Sequence, residues 1–300
     1  MFHPESYRQI GEISFKEPAI PATLNLVVSA LKEIQIIHED KPYHRLSHTQ
    51  TVMSRATKFL DIVASVRPDL VMERDYDLVL IAGACHDINQ DYDILDGRRV
   101  RKAPHNEFAS ADKAAKAMHS ALAPDGAGLY SDEEIDQVVT AIHHTIPAWD
   151  VANATVYQPN LNTESSLVSR AIAYADINAA AVDGPNQAIL DADNLFLEDN
   201  ITLAVQINSG TVPDNERDVV RAKILGWIDL QGGFISGRKS RLDTELAGLP
   251  DEVKQALKAH FFIQLDESIT AMQILLEQRT AMDYEDLIDS LTHKTKVAEE

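Results

Sequence analysis

The sequence predicts an all-α protein, and three observations carry that prediction. Apolar residues recur at helical spacing through almost the whole of the 300-residue chain. No alternating run is long enough to make a strand of useful length, and there is no internal repeat. An apolar fraction of 45% with only 12 glycines and 12 prolines fits a compact, helix-rich core.

Met1–Pro21 shows no sustained period and ends in Pro18-Ala19-Ile20-Pro21, which predicts an irregular arm over the core. Leu24, Val27, Val28, Leu31 and Ile34 define a first helix that stops before Lys41-Pro42. From His44 or Arg45 to Val66, Leu46, Val52, Met53, Ala56, Phe59, Leu60 and Val63 share one face, and Arg67-Pro68 ends that helix. Asp75–His86 carries the apolar run Leu78–Cys85 and reads as a buried helix. The polar stretch Asn89–Pro104 reads as a loop, followed by a helix from Asn106 to Leu122. Ser131 and Glu134 have the spacing of a capping box and open a helix that ends in His143-His144, before Pro147. Thr163–Val182 reads as a helix with Leu167, Ala171, Ile172, Ala175 and Ala179 inward. Beyond Asp183-Gly184-Pro185, helices are expected near 187–197, 200–206, 216–231, 239–247, 251–278 and 284–291. A hinge is expected at 208–214 and a frayed tail from His293.

A formal charge of −20 argues against nucleic-acid polymers and anionic membranes as partners, because a negative surface repels polyanions. No stretch approaches a membrane span, and the N-terminus lacks the basic and apolar regions of a signal peptide, so a cytoplasmic protein is expected. Cys85 is the single cysteine and lies in an apolar run, which predicts a buried, inert thiol.

The chemistry centres on His86-Asp87. An apolar helix ends there in two residues that are costly to bury unpaired and that bind divalent metal well. Partners are available in Tyr43–His48, Val139–His144 and Ala173–Asn178, where Asp176 interrupts an apolar helix. In the set His48, His86, Asp87 and Asp176, two neutral imidazoles and two carboxylates balance a divalent cation. Such nitrogen and oxygen ligands suit Fe, Mn, Ni, Co or Zn better than calcium.

The order His48, His86-Asp87, Asp176 on separate helices resembles the HD superfamily of metal-dependent phosphohydrolases over roughly Ala22–Val182. Tyr43-His44 with His48 is similar to the signature of its cyclic-nucleotide phosphodiesterase branch, with Arg45 where that branch has Asn. Asn106-Glu107 with Ser110-Ala111 resembles a motif of small HD phosphohydrolases, and His143-His144 resembles the paired histidines of two-metal branches. The resemblance implies an HD-like helical bundle with one or two divalent ions (Mg among the candidates) that hydrolyses a phosphoester of a nucleotide or other small phosphorylated metabolite through a metal-activated hydroxide.

On this reading residues 22–190 form the catalytic core and 191–300 a C-terminal helical extension, and a homodimer is compatible with the acidic surface. His44, Asp87 and Glu107 are the expected catalytic residues, with His44 one turn before His48 as proton donor and Glu107 orienting water. Tyr43 and the basic cluster Arg98, Arg99, Arg101 and Lys102 are expected at the substrate, and His143 and His144 at a second ion. Two other readings remain open: a di-iron oxygenase of the same superfamily, using His105, His143 and His144, and a non-catalytic module that binds metal or ligand.

Overall fold

A computed structural model describes residues 19–123, 125–153 and 155–293, and it is all-α with two small hairpins. The expected arm therefore lies outside the described residues except for its last three, as does the tail beyond His293. Helix α1 (Pro21–Ile37) starts on Pro21, whose missing N–H and fixed φ suit a first helical position. Helices α2 (Leu46–Val66) and α3 (Glu73–Cys85) follow. Every residue of α3 from Asp75 to Cys85 is buried, as an apolar run with no polar face requires.

The stretch 89–104 corrects the reading as a loop. Tyr92–Leu95 (β1) and Arg98–Arg101 (β2) pair antiparallel, with Leu95 opposite Arg98 across a two-residue turn. Asp96 and Gly97 make that turn with φ of 50° and 73°, the positive values that match the twist of a tight hairpin and that Asp-Gly tolerates. The strands are exposed on most positions and show no apolar alternation, which is why periodicity missed them.

Helices α4 (His105–His119) and α5 (Asp132–His143) come next. The Ser131 hydroxyl accepts from Glu134 N–H and the Glu134 carboxylate accepts from Ser131 N–H, as the capping-box spacing predicts. A second hairpin, Ala148–Asp150 (β3) with Thr155–Tyr157 (β4), precedes α6 (Leu167–Ile177) and the single turn α7 (Ala179–Val182). The expected Thr163–Val182 helix is thus shorter and interrupted at Asn178, whose side chain donates to Tyr174 O.

The C-terminal part contains α8 (Pro185–Asp199), α9 (Ile201–Ser209), α10 (Arg217–Glu245), α11 (Asp251–His260), α12 (Leu265–Ala281) and α13 (Tyr284–Leu291). Two boundaries differ from expectation. Helix α10 runs through Gly232-Gly233 because it packs along α12 and β4, and tertiary contact overrides the low helix propensity of glycine. The expected 251–278 helix breaks at 261–264 instead. The break turns both Phe261, edge-on to Phe59, and Phe262, edge-on to Tyr174, into the core.

Helix α2 lies at the centre, against α3, α6 and α11. The main buried cluster extends from Val27 on α1 to Met272 on α12, so the C-terminal helices share the core of the first six. A boundary between residues 190 and 191 falls inside α8 rather than between elements. A smaller cluster joins Phe196, Ile207, Ile224, Ile228 and Leu287 around α9, α10 and α13.

Gly237 lets α10 approach the second hairpin, since a Cβ there would sit 2.5 Å from Thr155 Cβ and 2.6 Å from Asn153 O. Gly237→Ala must displace backbone, which we expect to cost about 1–3 kcal/mol, as overpacking does. Urea denaturation monitored by circular dichroism will show this as a lower midpoint with unchanged slope.

Candidate metal centre and cavity

His48 projects from the first turn of α2, His86 and Asp87 lie where α3 ends, and Asp176 sits in the last turn of α6. These are the three helices that pack together at the centre of the bundle. One ligand atom from each of the four residues lies within 4.8 Å of all the others. His86 Nε2 is 3.2 Å from Asp87 Oδ2 and 3.7 Å from Asp176 Oδ1, and His48 Nε2 is 3.4 Å from each of the same two oxygens.

The donor set fits a divalent cation. His48 Nε2, His86 Nε2 and Asp87 Oδ2 are buried with no hydrogen-bond partner, an arrangement that proteins rarely tolerate unless something else completes it. His86 Nδ1–H donates to Gly83 O at 2.8 Å, which leaves the Nε2 lone pair aimed at the carboxylates. Without a cation that lone pair faces anionic oxygen. Burial opposes charge on either imidazole, but the two carboxylates outweigh it, raising His48 and lifting His86 well above the ordinary histidine value. Burial also opposes the charge on Asp87, which is nevertheless held well below the usual range by His86 and His48; Asp176 is lowered by the same imidazoles. The centre therefore needs positive charge, supplied either by protons or by metal.

A shell of polar contacts fixes Asp87. Gln90 Nε2 donates to Asp87 Oδ1 at 2.5 Å, and Arg101 Nη2 lies 3.2 Å from the same oxygen. Lys41 Nζ donates to His38 Nδ1 at 2.7 Å, which places the His38 proton on Nε2 for donation to Asp87 O at 2.9 Å. His38 reads as an ordinary histidine in the sequence, and neither Lys41 nor Gln90 stands out there. Their signal is only proximity in sequence to the ligands.

His44 is not on α2, as its spacing from His48 predicts, but precedes the N-cap Arg45. The Glu198 carboxylate holds it in place. Oε1 accepts from His44 Nδ1–H at 2.6 Å, and Oε2 accepts the backbone N–H groups of Tyr43 at 2.9 Å and His44 at 3.0 Å. Burial opposes the Glu198 charge, but His44 and those N–H groups bring its pKa down to about 2. No pattern at the end of α8 distinguishes Glu198 from neighbouring acids, so the sequence reading missed it. Tyr43 stacks its ring 4.6 Å from that of His48.

The remaining expected site residues differ in their engagement. Arg99 lines the cavity with Arg98 and Arg101 but pairs with Asp40 at 2.6 Å and lies over the Tyr92 ring, and Lys102 pairs with Asp93 at 2.8 Å. Arg101 is engaged with Asp87, Gln90 and Glu107. Glu107 is buried behind Arg101, and burial raises its carboxyl. His144 uses both ring nitrogens, on Thr140 O and Ser165 Oγ, and His143 packs edge-on against Phe108. His105 is exposed and 3.9 Å from Asp91. Among the described residues, none of these three histidines belongs to a group able to hold a metal.

A cavity of about 680 Å³ opens beside the four-ligand cluster, and Asp176, Tyr43, His44, Arg98 and Arg101 line it. No family profile, curated protein or solved structure matches the chain. The assignment of a metal centre thus rests on the geometry of the four ligands.

Two outcomes follow. Mn²⁺ or Zn²⁺ at about 100 times its Kd should stabilise the fold by about 2.7 kcal/mol, a rise in Tm of several degrees that Asp176→Asn abolishes. Asp199, which lines the cavity, is pushed up to about 6 by burial from an ordinary value of 3.8. The folded state therefore binds its proton more tightly than the unfolded state does, and ionising it costs stability that is fully lost above about pH 6. Asp199→Asn should raise stability relative to wild type at pH 8 and leave it unchanged at pH 3, measured by urea titration at each pH.

Proposed function

We propose that this protein is a metal-dependent phosphohydrolase acting on a small phosphorylated molecule. The observation that carries the reading is a set of buried, unpartnered imidazole and carboxylate atoms converging beside a cavity that also presents a carboxylate-held histidine and arginines. His48, His86, Asp87 and Asp176 would hold one ion. Bound there, a divalent ion supplies Lewis acidity toward a phosphoryl oxygen and lowers the pKa of water so that it can attack phosphorus near neutral pH.

The chain's own groups supply the rest. Glu198 accepts the Nδ1 proton of His44, which fixes the ring and leaves Nε2 to give a proton to the departing ester oxygen. Arg98 is exposed at the cavity and enters no ion pair among the described residues, which leaves its guanidinium available to a phosphoryl oxygen. Arg101 acts differently, bracing Asp87 against Glu107 and Gln90. A second ion finds no ligand set among the described residues, which favours the single-ion hydrolase over the di-iron oxygenase.

The test is elemental analysis of protein purified without chelator, followed by assay of a phosphomonoester and a phosphodiester after reloading with Mn²⁺, Fe²⁺ or Ni²⁺. We expect about one ion per chain and turnover of one ester class. Asp87→Ala should lose both, whereas Arg98→Ala should keep the metal and kcat and raise KM by about 3–10-fold, the loss of one partly exposed charge-assisted hydrogen bond. Metal binding with no turnover of either ester would sink the hydrolase reading and leave a binding module.

A further inference from the structure

The cavity is chemically divided. Asp176, His44, Arg98 and Arg101 line it together with Asp191 and Asp199 of α8; the C-terminal helices otherwise contribute a mainly apolar lining, with Leu195 on α8, Trp227, Leu230 and Phe234 on α10 and Met272 on α12. Small residues, Ala188 and Ala192, leave room along α8. At the mouth, Leu95 and Val100 on the first hairpin and Trp149 on the second are 62%, 46% and 49% exposed. Leu230 is also exposed on the same rim. Large apolar side chains ringing a concave opening are held out of the core at a cost in free energy, and such patches mark binding surfaces. The chain has two tryptophans, and both line this cavity.

We infer that the cavity takes a phosphoester whose organic part is a sizeable apolar group, with the C-terminal helices as its specificity wall. The inference rests on the proposed phosphohydrolase reading and narrows it. The phosphoryl group would face Asp176 and Arg98, and the apolar group would lie against Leu195, Phe234 and Met272 and reach the rim at Leu230 and Trp149. The volume supports this, because about 680 Å³ falls in the range of roughly 300–1,000 Å³ that holds drug-sized ligands and far exceeds a bare phosphate. The division of charge gives orientation: an anionic head is attracted to the arginine end, and an apolar tail loses water contact only at the other. Residues 191–300, which contribute that wall, are then part of the site.

Two chemistries share this description, a fused aromatic ring and an alkyl chain, and one titration separates them. Metal-loaded protein is titrated with methylphosphonate, octylphosphonate and 1-naphthylphosphonate, none of which is hydrolysed, while Trp149 and Trp227 emission is recorded. Each buried methylene contributes about fourfold in affinity, so we expect octylphosphonate or naphthylphosphonate to bind more than about tenfold tighter than methylphosphonate with a saturable change in emission. Whichever of the two is tighter identifies the group. Leu230→Ser, at an exposed helical position, should reduce the preference for the apolar phosphonates over methylphosphonate several-fold, with the fold checked by circular dichroism. Equal affinity for all three ligands overturns the inference whether or not any ester is hydrolysed. A preserved preference in Leu230→Ser overturns the assignment of the wall. Tight apolar binding combined with no turnover of octyl or naphthyl phosphate supports the cavity assignment and overturns the hydrolase reading, so the two failures are distinguishable.

Discussion

Charge balance in a dry site is the constraint on which the rest of this structure depends. Two carboxylates and two imidazoles meet at the junction of α2, α3 and α6, and three of their polar atoms are buried without a hydrogen-bond partner. Carboxylates this close raise each other's energy unless positive charge lies between them. The tautomer of His86 sharpens the conflict, because Gly83 O takes its Nδ1 proton and leaves a lone pair facing Asp87 and Asp176. A divalent ion converts every one of these repulsions into a bond. Since the helices that carry these four residues are also the central layer of the core, an ion bound there would hold the bundle together as well as the site, and its binding would be part of the folding free energy.

Elements distant in sequence hold this centre in place. The first hairpin brings Arg101 to Asp87, so a segment that is outwardly a polar surface ribbon sets the rotamer of a ligand. His38 and Lys41, just beyond α1, fix the backbone carbonyl of the same residue through one defined proton arrangement. From the C-terminal side, Glu198 engages three donors on Tyr43 and His44 at once. Residues 43–45 precede the helix, and the N-cap Arg45 makes no side-chain capping bond, so the Glu198 contacts from α8 add to the local hydrogen bonds that order them. The C-terminal helices therefore reach the site by two routes: a carboxylate that positions His44, and an apolar wall that closes the cavity.

The four ligands were legible because each breaks a local rule. His86-Asp87 ends an apolar run, Asp176 interrupts one, and His48 sits on a helix with a clear apolar face. Such violations are visible in one dimension because burial is predictable from periodicity, and a charged residue at a buried position demands a partner. What was not legible depends on contact between segments. Glu198 looks like any acid near the end of an amphipathic helix until its partner, 154 residues away, is known. The basic cluster 98–102 illustrates the reverse case. Arg98, Arg99 and Arg101 all line the cavity, but Arg99 is taken by Asp40, Arg101 by Asp87 and Glu107, and Lys102 by Asp93, so five adjacent residues do not serve one purpose. His143 and His144 lie outside the four-residue group, with their rings directed to Phe108 and Ser165 at the end of α5.

A chain with a formal charge of −20 would have to overcome its own field to take the anion proposed above. At physiological ionic strength, charges more than about 8 Å apart across water are largely screened, so the overall surface matters less at the cavity than the groups that line it. Those groups include Arg98 and Arg101 together with the acids Asp176, Asp191 and Asp199; burial raises Asp191 and pushes Asp199 up to about 6. Asp199 is therefore mostly ionised at neutral pH, and an entering anion would shift its equilibrium toward the neutral acid. A divalent cation among the four residues would offset the charge of Asp87 and Asp176 at the cavity floor. The acidic exterior then acts as a filter. It disfavours polyanions, which extend beyond the screening length, more than it disfavours a small anion whose charge lies wholly within the cavity.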